Sequence, residues 1–532
     1  MSYDNLGIML DCSRNGVLKV ETVKRFIELM SAMGFNSLQL YTEDTYEVEG
    51  QPYFGYKRGR YSNEEIKEMD AFAKNHGVEL IPCVQTLAHL NIFRWNDYRE
   101  INDCADILLA EEEKTYRLID DMFASLAKNF TSRRVNIGMD EAHMLGLGKY
   151  LDKHGYRNRF SIICRHLQRV MEISAKYGFK PMMWSDMFFN LLGGGNNFDK
   201  RVVLTDEQKA LIPKNLSLIY WDYYHTEEND YKNIIDCHKQ FGREIWFAGG
   251  GWSWNGFCPA TYYALAASKA AVKSCIAGNI TNMFLTLWGD NGRECSPFAT
   301  LPTLYSFAEY VKGNFDDEKI KNSFKKIYCY DFDDFCALSL PDCLSANKVQ
   351  TKNPSKYMLY NDPFLGIYDN TYLEHGESHY ADCAKKLCDV AKQGGEFSYL
   401  FENAANLCKV LEVKYALGVK TRNVYLSGDK SALRKLAIDD YIKVERALQD
   451  FYESFCALWE KECKPFGFEV QDVRLGGLIL RIKHCRRRII EYLEGKTESI
   501  PELEETILPL SGNDKEQLRD NVWLKYVSAG TV

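Results

Sequence analysis

Two adjacent acidic residues, Asp140 and Glu141, follow the run Arg134–Met139, which has the composition of a buried strand. Neighbouring residues on a regular strand point to opposite faces, so both carboxyls reach one pocket only where the strand gives way to its loop. A carboxyl beside aromatic rings and a second carboxylate has a raised pKa and can act as a general acid. The alternative is a surface turn or an acid pair at a helix start.

Other polar and aromatic residues stand at comparable positions, at or just after the ends of apolar runs. They are Asp11 and Arg14; Glu43 and Asp44; Gln85 and His89; Trp184 and Asp186; Trp221, Asp222, Tyr223 and Tyr224; Trp252 and Trp254; Trp288, Asp290 and Glu294. Aromatic rings pack against the C–H faces of sugars, and carboxylates bind sugar hydroxyls. The set therefore favours a carbohydrate pocket, although each residue alone also fits a structural role, such as a core histidine at His89.

These residues lie on eight strand-like runs that alternate with helical patterns. The predicted strands are Leu6–Asp11, Ser37–Tyr41, Val78–Val84, Arg134–Met139, Lys180–Trp184, Leu216–Tyr223, Glu244–Ala248 and Ile280–Trp288. Alternation of this kind indicates parallel pairing, and eight units in about 300 residues predict a closed (β/α)₈ barrel over residues 1–313. A doubly wound open sheet is the alternative, but no G-x-G-x-x-G follows the first strand. In a barrel, the carboxyl ends of all strands meet at one rim, where functional residues collect.

From residue 314 to 532 long helical patterns replace the strands. The predicted helices include Phe397–Leu417, Ser431–Lys461, Gly476–Glu494 and Asp514–Tyr526. This change predicts a second, mainly α-helical domain that begins near Gly313-Asn314.

The composition argues against a disordered, nucleic-acid-binding or disulfide-rich protein. The 532 residues are 46% hydrophobic and 26% charged, which argues against disorder, and the net charge of −8 makes generic nucleic-acid binding unfavourable. The seventeen cysteines contain no C-x-x-C pair, so they read as reduced, mostly buried thiols. The chain start lacks a signal-peptide pattern and no apolar window is long enough for a membrane span, so we predict a cytoplasmic protein.

No metal or other cofactor is predicted. Barrel metallohydrolases need a histidine pair after their first strand, and here that strand ends in Leu10-Asp11-Cys12. His375 and His379 have helical i, i+4 spacing but no third ligand in a recognisable position.

Three segments together resemble glycoside hydrolase family 20, the β-N-acetylhexosaminidases. Gly7–Arg14 resembles the family's opening strand, Ile81-Pro82 with Thr86–His89 resembles its third strand and histidine, and Gly138–Glu141 resembles its Asp-Glu signature. The resemblance covers about residues 6–310. It is nearest to an intracellular-type bacterial N-acetylglucosaminidase branch with a helical C-terminal domain.

The resemblance implies an exo-acting, retaining and substrate-assisted mechanism. Glu141 would be the general acid, and Asp140 would hold the acetamido N–H. A tyrosine would donate to the acetamido oxygen; Tyr223 is preferred to Tyr224 because it shares a strand face with Trp221. The implied sugar-binding residues are Arg14, His89, Trp184, Trp221, Tyr224, Trp254, Trp288 and Asp290.

The implied substrate is a glycan end with terminal β-linked N-acetylhexosamine. Neither nucleic acid nor membrane is expected as a partner, and a homodimer is compatible with the sequence. Two alternatives stay open at this point. One is a barrel glycosidase with Glu141 as acid and Asp186 or Asp290 as nucleophile, about 5 Å apart. The other is a sugar-binding barrel without catalytic activity.

Overall fold

Eight strands in the first part of the chain pair in parallel, each with its neighbours along the sequence, and the eighth closes onto the first. The computed structural model describes residues 3–195, 198, 201–510 and 517–530. The strands are β1 Asn5–Asp11, β2 Ser37–Thr42, β3 Glu79–Val84, β4 Arg134–Asn136, β5 Lys180–Trp184, β6 Ser217–Trp221, β7 Ile245–Gly250 and β8 Asn282–Leu287. A two-stranded hairpin, Asn102–Cys104 with Ile107–Leu108, lies in the loop after β3.

Helices connect the strands around the outside of the barrel. They are Val20–Met33, Asn63–Asn75, Glu113–Asn129, Lys149–His154, Arg159–Lys176, Asp186–Leu192, Asp206–Leu211, Glu228–Lys239, Thr261–Ala277 and Leu301–Val311. Local sequence fixes several of their ends. Ser62 and Glu65 form a reciprocal capping box at the start of the second helix. Gly34, with φ of 89°, adopts the left-handed conformation that ends the first.

Side chains fill the barrel interior, so it is a packed core and not a pore. Below the rim the inward positions include Met9, Tyr41, Cys83, Met182, Ile219, Trp246, Ala248 and Phe284, all buried. A second apolar layer joins the outer faces of the strands to the helices. Because the interior is filled, a ligand site in the barrel is expected at its carboxyl end, where functional residues collect.

The chain after the barrel is helical. Its helices are Asp317–Tyr328, Phe332–Cys336, Pro354–Tyr360, Gly376–Ala391, Ser398–Lys414, Leu417–Leu426, Lys430–Lys435, Tyr441–Glu462, Phe468–Leu493, Pro501–Glu504 and Trp523–Tyr526, with a π-helical turn at Leu436–Asp440. Short 3₁₀ turns occur at Asn91–Arg94, Asn96–Ile101, Pro297–Thr300, Ala337–Asp342 and Asp369–Thr371.

A buried cluster of three charges joins the helical part to the barrel rim. Glu294, in the loop after β8, lies 2.5 Å from the Nζ of Lys356 and 3.1 Å from a guanidinium nitrogen of Arg474. Glu294 and Lys356 are buried. Charges are tolerated in a protein interior only when they are paired, so each of these groups requires the others.

The predicted barrel followed by a helical part is confirmed, and several element bounds are corrected. β4 ends at Asn136 and not at Met139, because Gly138 and Met139 adopt positive φ and leave the extended region. The predicted helix Asp514–Tyr526 is wrong over Gln517–Val522, and residues 511–516 lie outside the described part. The proposed boundary after residue 313 falls in the turn between Leu301–Val311 and Asp317–Tyr328. The division into two domains there stays a prediction.

No helix within the described ranges combines the length and apolar character that crossing a lipid bilayer requires.

Candidate active site

One cavity of about 460 Å³ opens at the carboxyl ends of the barrel strands. It is lined by Arg14, Asp140, Glu141, Trp184, Trp221, Tyr223, Tyr224, Trp254, Trp288 and Asp290. All ten belong to the eleven site residues predicted from the sequence. The eleventh, His89, lies beside the wall, with its Nε2 3.3 Å from Asp140.

A tight backbone turn brings Asp140 and Glu141 to the same cavity. Gly138, Met139 and Glu141 have φ values of 72°, 70° and 49°. A Cβ atom at Gly138 would lie 2.0 Å from the side-chain oxygen of Gln85, so this position requires glycine. Left-handed backbone at the two non-glycine residues is strained, and such strain is found where surrounding contacts hold a functional geometry.

Asp140 is held as a carboxylate. Burial favours its neutral form and is the largest influence, but the charge of His89 and hydrogen bonding outweigh it, so the pKa of Asp140 is lowered. The Nε2 of Gln85 donates to Asp140 at 2.7 Å. Burial also disfavours charge on His89, yet the neighbouring Asp140 raises the pKa of His89 to about 9. The pair is therefore a carboxylate beside an imidazolium at neutral pH.

Glu141 is shifted in the opposite direction. Burial in the cavity wall, and next the negative charge of Asp140, raise the pKa of Glu141. Its side chain is 44% exposed, so it faces the mouth of the cavity. The backbone N–H of Glu141 donates to the Asp186 carboxyl at 3.0 Å, which holds the strained residue in place. A carboxyl with a raised pKa that faces an open cavity is suited to act as a general acid.

Asp186 supports the turn from within. It has no exposed surface, and burial, followed by the charge of Asp140, raises its pKa. One of its carboxyl oxygens accepts the Glu141 N–H, as above. Asp186 therefore acts on the backbone of Glu141 and presents no free carboxylate to the cavity.

Aromatic side chains form the rest of the wall. The rings of Trp221 and Tyr223 stack with centroids 5.3 Å apart, and Trp254 meets Tyr223 edge-on at 5.3 Å. The indole N–H of Trp288 donates to the Tyr223 hydroxyl at 3.2 Å. Tyr223 is 5% exposed, whereas Tyr224 is 45% exposed and lies at the rim. Tyr223 is thus the tyrosine whose hydroxyl is fixed deep in the cavity.

The guanidinium of Arg14 forms the far end. It pairs with Asp290 at 2.9 Å and lies 4.5 Å over the ring of Trp288. Asp11 accepts the backbone N–H groups of Ser13 and Arg14, which fixes the turn that presents the guanidinium. Arg14 therefore offers N–H donors into the cavity from a position set by three acidic or aromatic neighbours.

Two family models match this chain. Residues 3–234 match "Glycosyl hydrolase family 20, catalytic domain", and residues 333–523 match "Glycoside Hydrolase 20C C-terminal domain". The chain belongs to glycoside hydrolase family 20. The predicted family is confirmed, and the assignment to an intracellular-type bacterial branch stays a prediction.

Individual family 20 relatives are distant. Hexosaminidase D of Homo sapiens is 25% identical over 248 residues, which cover 43% of this chain and 48% of the relative. Beta-hexosaminidase A of Caenorhabditis elegans is 24% identical over 219 residues, which cover 35% of this chain and 38% of the relative. The chain spans about half the length of the curated relatives it matches.

Among solved structures, a chitobiase of Flavobacterium johnsoniae is similar to this chain. It has 14% sequence identity and a TM-score of 0.48, and the match covers 94% of this chain and 74% of the chitobiase chain. An exo β-N-acetylglucosaminidase of Vibrio harveyi, in complex with N-acetylglucosamine, has 17% sequence identity and a TM-score of 0.46. The match covers 61% of this chain and 57% of the Vibrio chain.

Several contributors to this family 20 site were not predicted as site residues. Gln85 donates to Asp140 and also accepts the N–H of Met139 at 3.1 Å, so it links β3 to the turn. A polar residue at the end of an apolar strand was its only signal. Asp106, 3.8 Å from Nδ1 of His89, belongs to the hairpin in the loop after β3 and carried no signal at all.

Within the described residues, no group of three or more histidine, cysteine, aspartate or glutamate side chains is arranged to hold a metal ion.

Proposed function

We propose that this protein is an exo-acting β-N-acetylhexosaminidase that removes terminal non-reducing GlcNAc or GalNAc with retention of configuration. The observation that carries the proposal is the pair of adjacent carboxyls in one cavity wall whose pKa values are shifted in opposite directions: the pKa of Asp140 is lowered and the pKa of Glu141 is raised. Titratable neighbours whose environments separate their pKa values mark acid and base roles.

In the first step Glu141 gives its proton to the glycosidic oxygen as the bond from that oxygen to C1 breaks. The carbonyl oxygen of the sugar's own 2-acetamido group forms a bond to C1, which yields an oxazolinium ion and the free leaving alcohol. In the second step water attacks C1, and the bond between C1 and the acetamido oxygen breaks. The Glu141 carboxylate takes a proton from that water. Two displacements at C1 retain the configuration.

Asp140 accepts the acetamido N–H and stabilises the positive charge that develops on the oxazolinium ring. Tyr223 donates its hydroxyl proton to the acetamido oxygen, and the indole N–H of Trp288 fixes the position of that hydroxyl. The rings of Trp184 and Trp221 enclose the acetamido methyl group. His89 keeps the carboxylate of Asp140 ionised and oriented.

Arg14 binds the 3- and 4-hydroxyls and Asp290 binds the 4- or the 6-hydroxyl, with charge-assisted hydrogen bonds. The two side chains pair with each other at 2.9 Å in the cavity wall, where they would hold the non-reducing end of the terminal sugar. Trp254, Trp288 and Tyr224 pack around the ring. Charged groups that bind the hydroxyls of a terminal sugar support exo-cleavage.

The structure gives little support to a nucleophile supplied by the protein. Asp186 is fully buried and its pKa is raised, so it lacks both access and charge. Asp290 forms an ion pair with Arg14, at 2.9 Å, and follows β8, on the other side of the barrel from Glu141. A sugar-binding barrel without activity would not need adjacent carboxyls whose pKa values are shifted in opposite directions.

The proposal is tested with the 4-nitrophenyl β-glycosides of GlcNAc, GalNAc and glucose, and with chitotetraose. We expect turnover of the first two, almost none of the glucoside because it lacks the nucleophile, and removal of one GlcNAc at a time from chitotetraose. Efficient hydrolysis of the glucoside, with a sugar trapped on Asp186 or Asp290, would favour the two-carboxylate mechanism. Internal chitotetraose cleavage would contradict the exo assignment.

The pH dependence of kcat/KM follows from the two shifts. Glu141 acts protonated and its pKa is raised, so activity should persist above the usual carboxyl range and fall as pH rises through that raised pKa. Asp140 acts ionised and its pKa is lowered, so activity should fall only at pH below the usual carboxyl range. Glu141→Gln, assayed with a dinitrophenyl glycoside that needs no acid, should lose the fall in kcat/KM at high pH. If the fall were unchanged in this variant, a group other than Glu141 would cause it.

We place the protein in the cytoplasm. All seventeen cysteines are free thiols, and most are buried. That state is typical of a reducing compartment.

A further inference from the structure

The C-terminal segment Gln517–Tyr526 lies across the loops that follow β6, β7 and β8 at the cavity mouth. The side chain of Asn521 donates to the backbone carbonyl of Trp254 at 3.1 Å. The backbone N–H of Trp523 reaches the side-chain oxygen of Asn291 at 3.5 Å, beside Asp290. The last part of the chain is therefore attached to two loops that carry cavity residues.

Asn353, a buried residue, fixes this segment to the loop after β7. Its side-chain oxygen accepts the N–H of Asp520 at 2.9 Å, and its side-chain nitrogen donates to the carbonyls of Asp520 and Asn255. Its backbone N–H donates to the carbonyl of Leu518. Three hydrogen bonds of this buried asparagine go to Leu518 and Asp520, on either side of Arg519, and the fourth goes to Asn255 at the rim.

Arg519 itself extends over the aromatic rim. Its guanidinium carbon lies 5.2 Å from the ring centroid of Tyr224 and 5.9 Å from that of Trp252. Tyr224 lines the cavity and lies within electrostatic reach of Glu141 and Asp290. In the part of the chain that the structure describes, Arg519 has no ion pair with a carboxylate. Stacking on rings orients the guanidinium and leaves the N–H donors at its edge free.

We propose that Arg519 is a specificity-determining residue that binds an anionic group of the substrate at the cavity mouth. The inference deepens the proposed glycosidase function and rests on it. A guanidinium recognises carboxylate or sulfate through two parallel N–H bonds. Such a group reaches the mouth from two sources: a carboxylate on the sugar that leaves, or a sulfate on the 6-hydroxyl of the terminal sugar.

The geometry favours an anion over a neutral hydroxyl. The guanidinium is already placed on two rings, so little side-chain freedom is lost when a ligand binds. The nearby carboxyls of Glu141 and Asp290 belong to the cavity, and neither pairs with Arg519. An anion at the mouth therefore meets a cation that needs no rearrangement and breaks no existing ion pair.

The experiment compares matched substrates with the full-length wild type and Arg519→Gln. One arm uses GlcNAc β-linked to glucuronic acid against GlcNAc β-linked to glucose. The other uses 4-nitrophenyl 6-sulfo-β-GlcNAc against the unsulfated glycoside. We expect wild-type kcat/KM to favour the anionic member of one pair by about three- to tenfold at low salt, and the preference to shrink as salt is added. Arg519→Gln should abolish it, and Arg519→Lys should restore part of it.

Lys525→Gln is the matched control, since it removes an exposed cation from the same segment without touching the cavity rings. It should keep the preference. Hydrolysis of plain 4-nitrophenyl β-GlcNAc should be equal in all four proteins, which separates this inference from the proposed function. No preference in either pair, or a preference that survives in Arg519→Gln, overturns the inference. No turnover of the plain glycoside by wild type overturns the proposed function instead.

Discussion

Glu141→Gln lowers kcat for a natural GlcNAc disaccharide by about 10²- to 10⁴-fold, the usual contribution of a general acid. The amide has the size of the carboxyl but cannot donate its proton to the departing oxygen. A dinitrophenyl leaving group needs no proton, so its release should be far less affected. The measurement is kcat for a series of aryl glycosides, in which the mutant should depend steeply on leaving-group pKa.

Folding is the first control for this variant. Because the cavity raises the pKa of Glu141, its charged form is disfavoured in the folded state, and the neutral amide should leave Tm unchanged or slightly higher. Glu172→Gln makes the same chemical change on an exposed surface helix and should leave kcat unaltered. A Glu141→Gln enzyme that cleaves the disaccharide at the wild-type rate would exclude Glu141 as the acid.

Asp140→Asn should lower kcat by about 10²- to 10³-fold, because a neutral amide no longer stabilises the positive oxazolinium ring. Leaving-group pKa should matter little to the size of this loss, in contrast to Glu141→Gln. Asparagine keeps an oxygen that can accept from Gln85, so the turn is retained. The lowered pKa of Asp140 means that its charge stabilises the folded state above the usual carboxyl range, so Tm should fall modestly at neutral pH.

Asp186→Asn is the matched control for this variant. The carboxyl of Asp186 is fully buried with a raised pKa, so replacing it with a neutral amide should cost much less activity than Asp140→Asn. A thiazoline analogue of the cyclised sugar should bind wild type tightly and Asp140→Asn weakly, since it resembles the charged intermediate. If Asp186→Asn were the more damaging change and a sugar were trapped on Asp186 of the wild type, the nucleophile would belong to the protein.

The barrel was predictable from sequence because its determinants are local. Each strand is a short apolar run, several helices are amphipathic, and parallel pairing follows from the alternation of strands and helices. The run Lys180–Trp184, for example, forms a strand with the predicted bounds. The pocket composition was predictable for the same reason, since a barrel brings all strand ends to one rim whatever the details of register.

Backbone conformation and long-range contacts were not predictable in this way. The run Arg134–Met139 looks like one strand, and only its packing against Gln85 shows why Gly138 and Met139 turn left-handed. Arg519 is separated by 295 positions from Tyr224. Its segment was predicted as a helix, because periodicity does not report hydrogen bonds to a residue such as Asn353.

Because of the Glu294–Lys356–Arg474 cluster, we expect that the barrel cannot be produced without the helical part, and that the helical part cannot be exchanged independently of the barrel. A chain cut after residue 313 would lose both cations and leave Glu294 without these partners, in the same loop that carries Asp290. Loss of one member of a buried ion cluster typically costs about 3–5 kcal/mol. Exchange of the helical part between homologues should therefore succeed only when all three residues are inherited together.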